Sequence, residues 1–429
     1  MALLGSQAAG DEWRRLWPHV LAATIGFSFQ SLAIYATGLF MQPLQDEFGW
    51  SRAEISAGVA FGTIVPVLFS VPVGILLDKW GVRRIALPGL VATACVFSAF
   101  GTVSGNIQHW YLLWGVFTLI GLSIKSTVWS MAVAGAFNAA RGAALGVTMC
   151  GAAVAQIVTP PLAYALIEAF GWRAAFAWLG FGWGGVALTL CFFFLVDTRP
   201  KQSATTEKSA RPSNLRGLSF REAIVSPPLI RIAIAAFLTM FLGVAAVVHQ
   251  VPILTAAGMA RGDAAYMASL AGFAGIAGKL MTGWITDRFD AGWVSSVTLA
   301  ASAIGFLLLL TPSATPFVIV PAMLIIGYST GAKLQICTYL TSRYAGMKNF
   351  GSIYGVMSSM IALASGMGPM VAGYVYDETG GYVLFLWAGA IGSLVAGLMV
   401  FKLGPFPDWG DIAQAPATTS ASPAPAAAE

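Results

Sequence analysis

Twelve apolar runs, each about 20 to 27 residues long, punctuate this chain of 429 residues, and each can cross ~30 Å of hydrocarbon. Their approximate limits are 17–44, 52–77, 85–104, 110–136, 142–168 and 174–196, then 229–256, 264–286, 293–312, 317–341, 351–376 and 383–402. Backbone polar groups in lipid must be satisfied internally, which leaves helices or closed barrels. No alternating strand period is present, so the runs read as helices. Only 10% of residues are charged while 57% are hydrophobic, against roughly 25% charged in a soluble domain. That cannot coat a water-soluble fold of this size, which excludes a soluble enzyme and a disordered scaffold. The expectation is an all-α membrane protein with twelve transmembrane helices. Asp11 and Glu12 precede the first run, and no short apolar core with a cleavage site is present, so it reads as a span and not a removed signal peptide.

The charges orient the chain. With the N-terminus inside, seventeen Lys and Arg residues fall on inner segments, against Arg52, Arg173 and Arg261 outside. This positive-inside bias places both termini in the cytoplasm. The expected organisation is a cytoplasmic N-terminus 1–16, a six-helix bundle 17–196, a flexible linker 197–228, a second bundle 229–402 and a disordered tail 403–429. Cys95, Cys150, Cys191 and Cys337 all fall inside apolar runs, so no disulfide framework is implied.

The halves match at one offset. Pro43, Gly49, Gly74, Asp78, Gly146, Pro160 and Gly171 recur 209 residues later as Pro252, Gly258, Gly283, Asp287, Gly355, Pro369 and Gly380. Proline and glycine set the bends and close contacts of a span, so the coincidence implies two copies of one bundle. Six spans is an even number, so the copies run parallel about an axis along the membrane normal, with a site at the midplane between them. Gly74 to Arg84 reads GILLDKWGVRR and its partner, Gly283 to Gly292, reads GWITDRFDAG. Asp78 with Arg83 and Arg84, Asp287 with Arg288, and Arg141 are the candidate latches that break and reform as the halves rock; holding the loops in water is the alternative.

That loop resembles the signature loop of the major facilitator superfamily. FMQPLQDEFGWSRAEIS (40–56), FNAARGAALGVTMCGA (137–152) and VVHQVPILTAAGM (247–259) narrow the likeness to the branch of monocarboxylate transporters and oxalate/formate-type antiporters. The resemblance implies transport of small organic acids. In that branch an arginine four residues before the equivalent of Gly283 binds the substrate carboxylate, and here the position is Lys279, which keeps the charge but not the bidentate fork. The proton-coupled members have an aspartate where this chain has Gly275 and a first-span lysine where it has Tyr35.

The residues themselves point the same way. Lys125, Lys279 and Lys333 lie within about 6 Å of the middle of spans four, eight and ten, with no Asp or Glu comparably deep. A lysine at the bilayer centre costs roughly 2.5–3.5 kcal/mol on insertion scales, and its stem is too short to bring the ammonium to the interface. The expectation is a wet cavity whose counterion is the cargo; a neutral lysine, or one bonded to carbonyls at a helix break, is the alternative. Further substrate-binding candidates are His249, which is also the deepest proton acceptor, Tyr35, and Gln156 in a stripe with Thr148 and Thr159. Tyr354, in a stripe with Ser358, and Trp129, which follows Lys125 by one turn, complete the set. Interhelical bonding or packing is the alternative for each stripe and for Trp129.

No catalytic constellation, HExxH or phosphate loop is present. No enzyme activity, cofactor, metal site or nucleic-acid partner is expected. The expected function is secondary transport of a small organic anion, by exchange or proton coupling, in a bacterial inner membrane, by a protein functional as a monomer. An exporter of neutral or drug-like compounds and a non-transporting sensor are the competing readings.

Overall fold

The computed structural model describes residues 7–196, 217–286, 288–311, 315–346 and 348–407. Among these, helix makes twelve passes. The first three are Gln7–Phe48, Arg52–Trp80 and Val82–Ala99. The fourth is broken, Ile107–Gly121 and Ser126–Ala136 being joined by the 3-10 turn Leu122–Ile124. The fifth runs through Arg141–Met149 into Gly151–Ala177 as far as Gly171, where a φ of 79° turns the chain back. The sixth returns through the π-helical segment Trp178–Trp183 to Gly184–Phe194. Span seven is Pro227–Val248 with Gln250–Ala256; then come Arg261–Thr286, Ala291–Leu309, Pro316–Ala345, Phe350–Thr379 and Val383–Val400.

Local chemistry sets these ends. Ser51 accepts from the Glu54 N–H at 3.1 Å while the Glu54 carboxylate accepts from the Ser51 N–H at 2.9 Å, a capping box that starts span two. Asn106 and Asp290 cap spans four and nine by side-chain acceptance alone, from the N–H groups of Gln108 and Trp293. Two of the repeat's glycine pairs are left-handed turns: Gly49 and Gly258 at φ 68° and 93°, Gly171 and Gly380 at 79° and 71°. The 209-residue offset also relates Arg52 to Arg261, Glu54 to Asp263 and Glu168 to Asp377.

Bonds between passes fix which ends lie together. Glu12 accepts from the N–H groups of Asn138, Ala139 and Ala140, just before span five. His19 accepts from Val196 N–H, just after span six. At its other end span one places Glu47 2.6 Å from Arg173, at the start of span six. An even number of passes brings residue 400 back to the side of residue 7; this is called the terminal side below, and the opposite one the far side. Aromatic rings fill the far-side core of the first half, with Phe40 stacked on Phe176 at 3.8 Å and Phe100 on Phe176 at 5.7 Å. Span two packs along span eleven and span five along span eight, joining the halves in two pseudo-equivalent seams.

Three expected boundaries shift. The helix of span one begins at Gln7, inside the expected terminus 1–16, because Trp13 packs on Phe137 at 5.7 Å. Residues 197–216 of the expected linker lie outside the described residues, but Phe220–Val225 within it form a short helix. Its capping box has the Ser219 N–H donate to Glu222, holding that carboxyl below its ordinary value. The first residues of the expected tail are docked: Tyr344 donates to the Gly404 carbonyl at 2.7 Å and Phe406 packs on Tyr344 at 5.2 Å. The low-complexity stretch from 408 lies outside the described residues.

Candidate functional site

The break in span four is the centre of the site. Lys125 has extended backbone, φ −69° and ψ 164°, and stands directly before the helix Ser126–Ala136 without a side-chain cap. The first N–H groups of that half-helix therefore have no partner within it, and its dipole adds partial positive charge to that of the ammonium. The break also strands the Ile124 carbonyl, which Trp129 answers by donating its indole N–H at 2.6 Å. Trp129 is fully buried, its ring lying over Gly26, where a Cβ would collide with it. Trp129 is thus the staple of the break and not a platform for a ligand, which corrects the sequence reading. Replacing it by Phe leaves a buried carbonyl unmet, at a cost of about 1–3 kcal/mol. Trp129→Phe is expected to lower the melting temperature of the detergent-solubilised protein by several degrees. A melting curve that matches the parent would remove the staple role.

Lys125 lines a cavity of about 260 Å³. Gln30, Ser31 and Tyr35 of span one, Thr63 of span two, Thr93 of span three and Thr118 of span four supply its polar wall, and Trp114 and Phe117 an aromatic one. The second half closes it with Val244 and Ser365. Among the described residues no carboxylate lines the cavity, and none bonds or ion-pairs with the Lys125 ammonium. Of the expected ligands, the structure brings Lys125 and Tyr35 together here. The polar residues of spans two to four carry no sign of this role in the sequence, because isolated threonines in apolar runs are ordinary.

The other two lysines have partners of their own. Lys279 donates to the Met149 carbonyl at 3.2 Å. Met149 ends the helix Arg141–Met149, so the ammonium sits at the negative end of a half-helix and ties span eight to span five. Lys333 is 5% exposed, donates to the Thr239 carbonyl at 3.4 Å, and occupies the space that Gly243 leaves open on span seven. The carbonyl-bonded alternative therefore describes both in this conformation. Neither lines the cavity of Lys125, so the three ammonium groups do not share that chamber.

His249 interrupts span seven, between Pro227–Val248 and Gln250–Ala256, and is fully buried. The Pro369 carbonyl, 2.9 Å from Nε2, can only accept, so that nitrogen carries the proton and Nδ1, 2.7 Å from Tyr382 Oη, accepts from the phenol. Ser56 lies 3.2 Å from Nε2. Both nitrogens are committed, so His249 is part of a seal and not a ligand of the cavity.

That seal crosses the halves on the far side. Arg52 donates to Tyr382 Oη at 2.7 Å and lies over the Tyr376 ring at 3.6 Å. The Asp377 carboxylate accepts from the N–H groups of Arg52 at 3.0 Å and Ala53 at 2.8 Å. A carboxylate of span eleven thus caps the N-terminus of span two across the interface. On the pseudo-equivalent seam Arg261 donates to the Leu39 carbonyl, and Glu168 is close enough to act on it electrostatically. Gly373 allows the close approach, since a Cβ there would fall into the Arg52–Ala53 backbone. Of the hydrogen bonds that cross the halves among the described residues, only that of Lys279 lies toward the terminal side.

The remaining candidates sit elsewhere. Gln156 is buried between spans five and eight, its Nε2 without a partner among the described groups, as is the hydroxyl of Thr159. Tyr354 bonds Thr338 at 2.9 Å and stacks on Phe350 at 5.3 Å. Arg83 donates to the Leu195 and Phe192 carbonyls, capping the end of span six in its own half. Arg141 donates to the Phe137 carbonyl, Arg288 lies over Trp284 at 4.1 Å, and Arg84 is exposed. In this conformation the described bonds of Arg83, Arg141 and Arg288 are intra-half contacts and not the expected latches. The Asp78 side chain and Asp287 lie outside the described residues.

The family model of the Major Facilitator Superfamily matches residues 23–332 and 251–427. Monocarboxylate transporter 12 of Xenopus laevis is 26% identical over 353 residues, covering 76% of this chain and 73% of the relative. An uncharacterized MFS-type transporter of Bacillus subtilis, YcxA, is 25% identical over 379 residues, covering 86% and 90%. Among solved structures, the nucleoside transporter NupG superposes with a TM-score of 0.70 at 12% identity, over 90% of this chain and 98% of that one. The inward-open xylose transporter XylE of E. coli gives 0.69 at 14%, over 90% and 96%. At such identities the structural likeness shows the fold alone.

Proposed function

The chain belongs to the major facilitator superfamily, and from that premise we propose that it carries a small organic anion by alternating access of its two halves. One observation carries the reading: Lys125, at the N-terminus of a half-helix, faces a cavity walled by both halves with no carboxylate among its described lining residues. A half-helix N-terminus inside a transporter suits an anionic group. The names of the relatives, monocarboxylate transporters, favour a carboxylate as that group.

Lys279 joins the site when cargo arrives. A bond to one carbonyl is weak beside an ion pair, so an anion can draw the ammonium from Met149 and release the tie between spans five and eight. Lys333, fixed beside Gly243, contributes field and not contact. The seal of Arg52, Asp377, His249 and Tyr382 closes the far side, and the latches at Asp78, Arg83, Arg84, Asp287, Arg288 and Arg141 form when the halves close on the terminal side. The excess of inner positive charge supports a cytoplasmic terminal side, in a bacterial inner membrane, for a protein that works as a monomer.

Importing one negative charge against 100 mV, inside negative, costs about 2.3 kcal/mol. With His249 committed to the seal and no carboxylate among the described lining residues, no described carboxylate or histidine of the cavity wall is placed to carry a compensating proton, which favours anion exchange or export. Counterflow tests the reading. Proteoliposomes loaded with unlabelled pyruvate or benzoate are expected to accumulate the labelled acid transiently, and glucose-loaded ones are not. Binding of the acid without counterflow would instead mark a sensor, and counterflow of neutral solutes alone would overturn the anion assignment.

A further inference from the structure

We propose that His249 makes the far-side seal sensitive to protons: one proton, taken from the far side onto Nδ1, unlocks it. This rests on alternating access of the halves and not on the identity of the cargo. The ring is a node between the halves. Its partners are Ser56 of span two in the first half, and Pro369 of span eleven and Tyr382 at the start of span twelve in the second. Every bonding position of the neutral imidazole is filled: Nε2–H donates to the Pro369 carbonyl at 2.9 Å, with Ser56 Oγ 3.2 Å away, and Nδ1 accepts from Tyr382 at 2.7 Å. His249 is fully buried and Tyr382 is 3% exposed, so bulk water serves neither while the seal is shut.

A proton on Nδ1 turns that acceptor into a donor. Tyr382 Oη then meets two cationic donors, His249 and Arg52, each 2.7 Å from the same oxygen, and its own proton loses its acceptor. An imidazolium and a guanidinium crowded on one buried oxygen repel each other. The other charged or titratable groups facing this node do not relieve it. From span eleven, the Tyr376 ring lies under the Arg52 guanidinium at 3.6 Å, and the Asp377 carboxylate is spent on the N–H groups of Arg52 and Ala53. From span one, the neutral Gln45 holds Arg52 Nε at 3.0 Å. Among the described residues no carboxylate bonds the His249 ring. The sealed geometry therefore has no place for the proton, whereas parting the halves lets water supply both acceptor and screening. The proton comes from far-side water and returns to it on closing, so none crosses the membrane. Because the open form takes the proton and the sealed form does not, acid favours the open form. A hydrated histidine titrates at roughly 6.5, so the open-to-sealed ratio is flat above about pH 7.5 and rises about 10-fold per unit well below 6.5.

The test reads access from the far side in the full chain freed of its four native cysteines. Val59, 5% exposed, follows Ser56 by one turn of span two and lines the cavity behind the seal. Labelling of Val59→Cys by a membrane-impermeant maleimide from the far side is divided by that of Ser104→Cys, exposed between spans three and four, at the same pH, so that thiol ionisation cancels. The ratio is expected to rise about 10-fold from pH 7.5 to pH 5.5. His249→Gln is expected to flatten the profile. Asp377→Asn and His109→Gln are expected to keep the rise, which assigns it to neither the capping carboxylate nor the other far-side histidine. The parent profile tests the inference even if His249→Gln fails to fold: a flat profile, or a rise confined below pH 5, overturns it. So does a rise that persists in folded His249→Gln or vanishes in His109→Gln or Asp377→Asn. Val59→Cys that never labels from the far side at any pH would overturn alternating access itself, whereas labelling that ignores pH leaves alternating access standing and removes the proton's part in it.

Discussion

Lys125→Gln is expected to weaken binding of the transported acid about 100-fold or more and to abolish counterflow, with the protein still folded. Two unit charges 4 Å apart attract by about 4 kcal/mol at an effective dielectric of 20, and roughly 1.4 kcal/mol is a factor of ten. Part of that is returned because the acid no longer desolvates an ammonium, which sets the estimate nearer the lower figure. Folding should survive because, among the described residues, nothing bonds the Lys125 ammonium, and the Lys125 carbonyl, which accepts from Val128 N–H at 2.9 Å, is kept in the variant. Trp129, Gly26 and the Ile124 carbonyl hold the break without it. Lys125→Arg keeps the charge and should retain part of the affinity. Lys333→Gln, at a residue 5% exposed whose ammonium lies beside Gly243, should instead lower stability more than affinity. Affinity for the acid that survives Lys125→Gln would take the residue out of the site.

The backbone plan was legible in the sequence because its signals are chemical and local. Pro and Gly at a fixed 209-residue offset mark positions that only those residues fill, and two of the pairs are left-handed turns at matching places. Span limits read from hydropathy fall close to the helix ends because caps such as Ser51 and Asn106 sit at the edges of the apolar runs. The site was less legible. Depth alone grouped the three lysines, but depth does not say which way a side chain points: Lys333 found a carbonyl and a glycine in its own half, Lys279 a carbonyl across the interface. The breaks in spans four, five and seven carry no proline at the breaking residue. Lys125, Cys150 and His249 follow ordinary helix formers. The far-side seal did carry a readable sign. Arg52 with Arg261 and Glu168 with Asp377 obey the same offset as the prolines, but in a sequence outer charges report topology and not contact.

That seal should govern which side the cavity faces. Asp377→Asn removes the negative charge from the N-terminus of span two while keeping the side chain's size. The two N–H groups it serves, on Arg52 and Ala53, then lose a charged acceptor, and hydrogen bonds to charged groups are worth about 1.5–3 kcal/mol each before solvent competes. Asp377 is exposed, so water recovers much of this, and a shift of about 1 kcal/mol, a factor of about five, is a fair lower expectation. The shift favours the far-side-open state, in which Asp377 and Arg52 are both hydrated and have nothing to lose. A cysteine at Ser56, fully buried beside His249 in the sealed form, reports the change when introduced into a background free of the four native cysteines. Its labelling by a membrane-impermeant maleimide from the far side should accelerate at least fivefold with Asp377→Asn. Glu168→Gln, on the pseudo-equivalent seam, should act in the same direction, and the pair should exceed either alone because the two seams open together. The two halves rock as rigid bodies only if both seams answer to one equilibrium; labelling that Asp377→Asn leaves unchanged would mean that packing along Gly373, and not the capping carboxylate, holds the far side shut.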